Sequence, residues 1–177
     1  MTQTNTLVYR IAQGDLSAQL QFYRETADAV YATAFNLLQN AGAAEDVLHD
    51  TYIKAFEKIA QLKHPDRPVP WLKQIARHLA LKELRRQQRL NDLSQQESLL
   101  FEAEASDANH LPHIEVGELR EAMDRLPDGY RVVLYLHLIE EMKHEEIAEE
   151  LGLAPASVRS QYHRGRKKLM NELKIHL

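Results

Sequence analysis

Apolar residues recur at three- and four-residue spacing through most of this chain, and the breaks in that rhythm divide it into helices. The pattern predicts a short amphipathic helix over residues 4–13, ended by Gly14-Asp15, with Asp15 placed to cap the next. A long helix over 16–40 follows, its stripe carried by Leu20, Tyr23, Ala27, Val30, Ala34 and Leu37/Leu38, and closed by Asn40-Ala-Gly42. A third helix is predicted over 44–62, with Val47, Leu48, Thr51, Tyr52, Ala55, Phe56 and Ile59 on its core side. Prolines at 65, 68 and 70 then predict a stiff loop over 64–70, because each biases its predecessor out of the α region. A fourth helix runs over 71–89, with Trp71, Leu72, Ile75, Leu79 and Leu84 as its apolar side.

Residues 90–113 are polar and acidic and read as a linker, with a transient helix near Leu99. Helices resume over 114–126 and 130–141, separated by the turn Pro127-Asp-Gly129. The second of these (VVLYLHLI) is so apolar that most of its sides must be buried. Two short helices joined by a tight turn complete the pattern over 143–169. Ile147, Ala148 and Leu151 share one face of the first, Gly152 suits its C-cap, and Pro155 suits the opening turn of the second. Val158, Tyr162, Gly165 and Leu169 then lie within about 60° of one another. Ser160, His163, Arg164 and Lys167 occupy the opposite arc, flanked by Arg159, Arg166, Gln161 and Lys168. An apolar side backing a donor-rich side, after a glycine turn, is the plan of a helix-turn-helix that reads a major groove; a solvated basic face gives the same pattern. The expected fold is all-α: two small helical domains joined by an acidic flexible linker, the C-terminal one carrying the helix-turn-helix.

Composition supports this and adds a compartment. Six glycines and six prolines in 177 residues favour helix over a loop-rich β fold. The chain has no cysteine, which excludes disulfides and thiolate metal sites and fits a reducing cytoplasm. No apolar run approaches the roughly 18 residues of a spanning helix, and residues 1–10 lack the basic-then-apolar plan of a signal peptide; membrane insertion is not expected. Net charge is −4, which alone argues against nucleic acid, but its distribution reverses that reading. Lysines and arginines at 73, 77, 82, 85, 86 and 89 face one acid, Glu83, and those at 159, 164, 166, 167, 168 and 174 face Glu172. Between these blocks lies an acidic stretch over 92–124.

Enzyme chemistry finds no support in a phosphate-binding glycine loop, a nucleophile elbow or an HExxH run. Among the nine histidines, His110, His113 and His137 read as structural or solvated, so neither a metal nor a cofactor is expected. Glu45, Asp46, His49 and Asp50 form either a docking surface for a basic partner or a solvated face. Trp71 is either core or a platform for unpaired bases. The loop from Lys63 to Pro70 is either a holder for a splayed base or a rigid turn.

In this order the segments resemble the extracytoplasmic-function (ECF) class of bacterial RNA polymerase sigma factors. AEDVLHDTYIKAF (44–56) looks like the polymerase-clamp-binding helix of that class. PWLKQIARHLALKELRRQQR (70–89) looks like its promoter −10 helix, and 126–169 looks like its −35-reading domain. The resemblance implies a −10 and clamp-binding domain over 1–90, a linker over 91–113 and a −35 domain over 114–177. Glu45, Asp46, His49, Asp50 and Lys54 would contact core RNA polymerase. Lys63, His64, Asp66 and Arg67 would capture a flipped −10 base, with Lys73, Arg77, Lys82 and Arg85 on adjacent DNA. Arg159, Ser160, Gln161, His163, Arg164 and Lys167 would read the −35 element. The implied partners are core polymerase (β′ clamp helices and β flap), promoter DNA and an anti-sigma factor. The chain departs from the family pattern at His49 (commonly Gln), His78 (Asn), Lys82 (Asp), Ala154 (Ser) and Gln161 (Arg or Lys). A self-sufficient helix-turn-helix regulator and a protein-binding adaptor are the rival readings; neither gives a reason for the 44–56 and 70–89 segments.

Overall fold

The computed structural model describes residues 3–92 and 116–173. Among these, eight α-helices and one short 3-10 helix form the structure, with no strand. They belong to two compact units, Met1–Arg89 and Leu90–Leu177.

In the first unit α1 (Gln3–Ala12) ends at Gly14, whose φ of 82° lies in the left-handed region. Asp15 then caps α2 (Leu16–Leu38), accepting from the Ser17 and Ala18 backbone N–H groups, while Arg10 Nε donates to it at 2.8 Å and ties the two helices together. The Ser17 hydroxyl, that N-cap bond and Arg10 hold the Asp15 carboxyl well below the usual carboxylate range. The buried face of α2 is Ala18, Phe22, Thr26, Val30, Thr33, Ala34 and Leu37. Leu20, expected in the core, is 50% exposed, and Tyr23 and Ala27 are only partly covered. The helix carries two apolar stripes, and packing has taken the one that carries Phe22. That ring meets Tyr52 edge-on at 6.4 Å and Phe56 at 6.3 Å.

Asn40 does not close α2. Gln39 does so in the left-handed region (φ 50°), its N–H bonded to Phe35 O; Asn40 Oδ1 instead accepts from Ala43 N and caps α3 (Ala41–Glu57). The helix expected to run to residue 62 stops at Glu57 and continues as a 3-10 turn, Ile59–Gln61. Its buried Tyr52 hydroxyl pairs with Thr26 Oγ1, and burial pushes it up to about 12, so it stays a neutral hydrogen-bonding group.

The proline run is shorter as a loop than expected. α4 (Pro68–Asp92) takes in Pro68 and Pro70, since N–H groups in a helix's first turn have no intrahelical acceptor to lose. Its buried side is Leu72, Ala76, Ala80, Leu81 and Leu84. Trp71, Ile75 and Leu79 are partly exposed, so Trp71 is not a core residue. Alanines and leucines together make the packed side, and Trp71, Ile75 and Leu79 ride at its margin. Residues 91–92 belong to this helix; the rest of the expected linker, including the region of Leu99, lies outside the described residues.

In the second unit α5 (Val116–Asp124) and α6 (Asp128–Leu138) bury Ala122, Met123, Leu126 and the whole run Arg131–Leu136. Asp128, expected in a turn, is the first residue of α6, and its carboxylate accepts from the buried Arg131 at 2.7 Å. α6 ends three residues before the expected limit. Glu141 then turns through φ 55°, and Met142 N bonds back to Leu136 O. α7 (His144–Leu151) and α8 (Pro155–Glu172) form the helix-turn-helix, Gly152 at φ 67° between them; the bounds at the turn are as expected, and α8 continues three residues past the expected end at Leu169. Glu146 accepts from Lys143 N at 2.7 Å; Ala154 opens α8 with no side-chain cap. Arg166, expected among the flanking donors, is only 8% exposed, because it lies about 80° from Val158 on the packed side.

Candidate functional site

The described residues carry three faces with chemistry suited to macromolecules. None of them holds a group of three or more His, Cys, Asp or Glu that could bind a metal ion.

The first face is on α3. Glu45, Asp46, His49, Asp50 and Lys54 all stand exposed, and at 100° per residue they span about half the helix circumference. Ile53 is 58% exposed near the middle of this arc, between His49 and Asp46 in rotation. Sequence reading passed over Ile53, since an isoleucine in a helix with several apolar residues resembles core. The signal was its offset of three and four from Asp50 and His49. An exposed branched aliphatic ringed by carboxylates suits a partner that is both basic and apolar.

The second face begins at the turn before α4. Buried Leu62 anchors the turn, and Arg67 N bonds to His64 O at 3.0 Å. Lys63, His64, Asp66 and Arg67 project from it, with Asp66 and Arg67 paired at 3.6 Å. Pro70, Trp71 and Gln74 line a cleft of about 700 Å³ together with Lys63, His64, Asp66 and Arg67. Its lining combines a partly exposed indole with polar side chains, which suits a planar heteroaromatic group.

The four basic residues expected to continue this face along α4 do not share a stripe. Lys73 and Arg77 are half-buried within about 40° of each other, whereas Lys82 lies roughly 140–180° around the helix. The stripe that leads away from the cleft is Trp71, Gln74, His78, Lys82 and Arg85, all within about 80°. Gln74 and His78 were absent from the expected set; their i, i+4 and i, i+8 relation to Lys82 is the sequence signal. Arg86 is held bidentately by Glu83, both bonds 2.7 Å, which raises the arginine's affinity for its proton and lowers the carboxyl's.

The third face is on α8. Arg159, Ser160, His163, Arg164 and Lys167 occupy an arc of about 140° opposite Val158. Gln161 stands apart, about 60° from Val158 and close to the packed side. Arg159 pairs with Glu145 of α7 at 3.6 Å. Behind His163, four rings meet: His137 of α6 stacks on His144 of α7 at 4.5 Å, both contact Tyr162 (4.7 and 4.9 Å), and Tyr162 contacts His163 at 5.5 Å. His137 Nδ1 is 2.8 Å from Met142 O. Burial, then the neighbouring His137, lowers the proton affinity of His144, against an opposing pull from Glu145.

Comparison with known proteins places two family models on the two units. Residues 22–90 match Sigma-70 region 2 and residues 117–169 match Sigma-70, region 4. The ECF RNA polymerase sigma factor SigE of Mycolicibacterium smegmatis is 34% identical over 98% of this chain and 69% of its own length. SigW of Bacillus subtilis is 26% identical over 94% of this chain and 95% of its own. The probable RNA polymerase sigma factor RfaY of Xanthomonas campestris is 34% identical over 82% of this chain, which spans only 38% of that protein. Among solved structures, the sigma factor RpoE bound to the anti-sigma factor NepR, from Bartonella quintana, matches 89% of this chain at a TM-score of 0.53 and 23% identity. CnrH bound to the cytosolic domain of CnrY matches 98% at 0.50 and 24%.

Proposed function

This chain belongs to the ECF class of RNA polymerase sigma factors, and on that footing we propose that it binds core RNA polymerase through α3, opens and holds the −10 element at the cleft and α4, and reads the −35 element with α8. The observation that carries the proposal is the coincidence of two sigma-factor regions, in order, with two compact units that each present a face suited to nucleic acid. The first unit then combines clamp binding and −10 recognition, the second reads −35, and the residues between them tether the two.

The physical account is one of shared grip. If about six phosphates are contacted, affinity falls with salt at a log–log slope near −5, so promoter binding by the chain alone is weak at physiological salt. Polymerase fixes both units on one DNA, and the tether turns the second contact into an intramolecular event. The exposed Lys63, His64, Asp66 and Arg67, which line one cleft with Trp71, suit an extruded base, and the α4 stripe through His78 and Lys82 suits the neighbouring backbone. An anti-sigma factor as partner is supported by the solved sigma factor RpoE, which is bound to one, and it would occlude the faces that polymerase needs. No helix among the described residues is long and apolar enough to cross a membrane, and a cytoplasmic site of action follows from polymerase as partner.

Run-off transcription with core polymerase, with and without the chain, tests the proposal. Promoter-specific transcript is expected only with both. A footprint on DNA from the chain alone, with no gain in transcript when polymerase is added, would instead mark a self-sufficient regulator. Within the −35 face, Arg164→Ala is expected to cost about 1–3 kcal/mol against one matched base and much less on a promoter already mismatched there. Lys167→Ala is expected to weaken all promoters alike and to reduce the salt slope by about 1. Competition binding across a set of single-base −35 variants separates the two behaviours.

A further inference from the structure

His137, His144 and Tyr162 come from three different helices and meet in one ring cluster directly behind His163. Their arrangement fits neutral rings only. Stacking at 4.5 Å with 30° between planes would bring two imidazolium charges together. His144 Nε2 is a buried atom with no hydrogen-bond partner, so a proton added there meets no acceptor. His144 is also the first residue of α7, where the helix dipole disfavours a cation. The charged and titratable groups facing it are His137 from α6, Glu145 from its own helix, and Arg159 and His163 from α8. Glu145 alone favours a proton on His144, and Glu145 is the group that pairs with Arg159 at 3.6 Å. A charged His144 would therefore compete with Arg159 for this carboxylate while losing its seat against Tyr162.

We propose that the His137–His144 ring pair positions the reading helix: neutral, it seats Tyr162 and leaves Glu145 to orient Arg159, and a proton on His144 undoes both, so that −35 discrimination weakens in acid. This rests on the reading of α8 as the −35 helix. His137 and His144 are positioning residues here, since Tyr162 and Arg159 transmit their effect. The direction follows from linkage. His144 in the fold takes up a proton less readily than in the unfolded chain, where the value is about 6.5. The stability it contributes is complete above that pH and is lost as pH falls below it.

The test uses the full chain and His144→Phe, which keeps a stacking ring and forfeits no hydrogen bond at Nε2. Polymerase holoenzyme is assembled with each, and binding is measured at pH 7.5 and 6.0 on a matched promoter and on one with a scrambled −35 element. The ratio of the two affinities removes the pH sensitivity of polymerase itself. For the native chain the ratio is expected to be lower at pH 6.0 than at pH 7.5, as the competent fraction drops; for His144→Phe it should stay level. The same fall in both chains would overturn the proposal. A second readout needs neither a variant nor polymerase: histidine-ring and amide NMR of the native chain across the same pH range. Tyr162 and Arg159 signals should move with the His144 titration, and an unmoved Tyr162 would overturn the proposal. If they do move but no −35-dependent binding exists at any pH, the positioning device stands and the sigma-factor reading of α8 falls.

Discussion

A chain carrying Asp46→Lys, Asp50→Lys and Ile53→Glu together should lose core-polymerase binding by about a hundredfold or more, roughly 3 kcal/mol, and with it promoter-specific transcription. The three side chains are exposed on one arc of α3, away from its buried stripe, so helix content and unfolding temperature should stay near those of the native chain. The two effects differ in kind. Reversing Asp46 and Asp50 removes attraction for a basic partner and adds repulsion, which acts mainly on the association rate and weakens with added salt. Ile53→Glu places a carboxylate where an apolar contact would be desolvated, which acts on dissociation and persists at high salt. Surface-capture kinetics on immobilised core polymerase at two salt concentrations resolve them. Unchanged affinity for the triple variant would remove α3 from the polymerase interface.

Gly165→Val should be a strongly damaging change in the second unit, costing about 2–3 kcal/mol and shifting its unfolding to markedly lower temperature. A Cβ at this position would stand 3.0 Å from Tyr130 Cβ and 3.1 Å from Leu134 Cδ1, both on α6. Tyr130 Cβ is fixed to its backbone and cannot swing aside, so α8 must move away from α6, and the branched γ carbons enlarge that movement. Gly165→Ala recovers up to about 1 kcal/mol of helix propensity and is expected to fall between the native chain and valine. Tyr162, three residues earlier on the same packed face, would be displaced too, so −35 binding should fail before the unit unfolds. Differential scanning calorimetry with a −35 binding assay checks this; a Gly165→Val chain with native unfolding would mean that α6 yields at no cost.

At the turn of the helix-turn-helix, where the chain's punctuation is local, the sequence expectation and the structure agree. Gly152 and Pro155 bound α7 and α8 as expected because a left-handed cap and a helix-opening proline act through their own backbone. The prolines at 68 and 70 misled the loop boundary for a related reason: the rule that a proline unsettles its predecessor competes with the rule that proline suits a first turn, and the second prevailed. Core stripes were harder to read. Leu16, Leu20, Tyr23 and Ala27 repeat as regularly on α2 as Ala18, Phe22, Thr26 and Val30, and periodicity assigns no preference between them. The α4 stripe was likewise rotated away from Trp71, which freed the indole to line the cleft.

The candidate faces divide in the same manner. The carboxylates of α3 and the donors of α8 were legible because each lies within one helix, where 3.6-residue geometry alone sets which side chains neighbour each other. Ile53 was not, since exposure depends on what packs against a helix. The ring cluster of His137, His144 and Tyr162 was not either, because those residues sit on three helices and no spacing along the chain brings them together. Helix order, caps, charge blocks and the turn of the helix-turn-helix are properties of short stretches, set by backbone preference and side-chain period. Which of two apolar stripes is buried, which isoleucine is left in water, and which histidines share a pocket depend on the shape of the neighbouring helices, and packing at the density of a protein interior makes those choices.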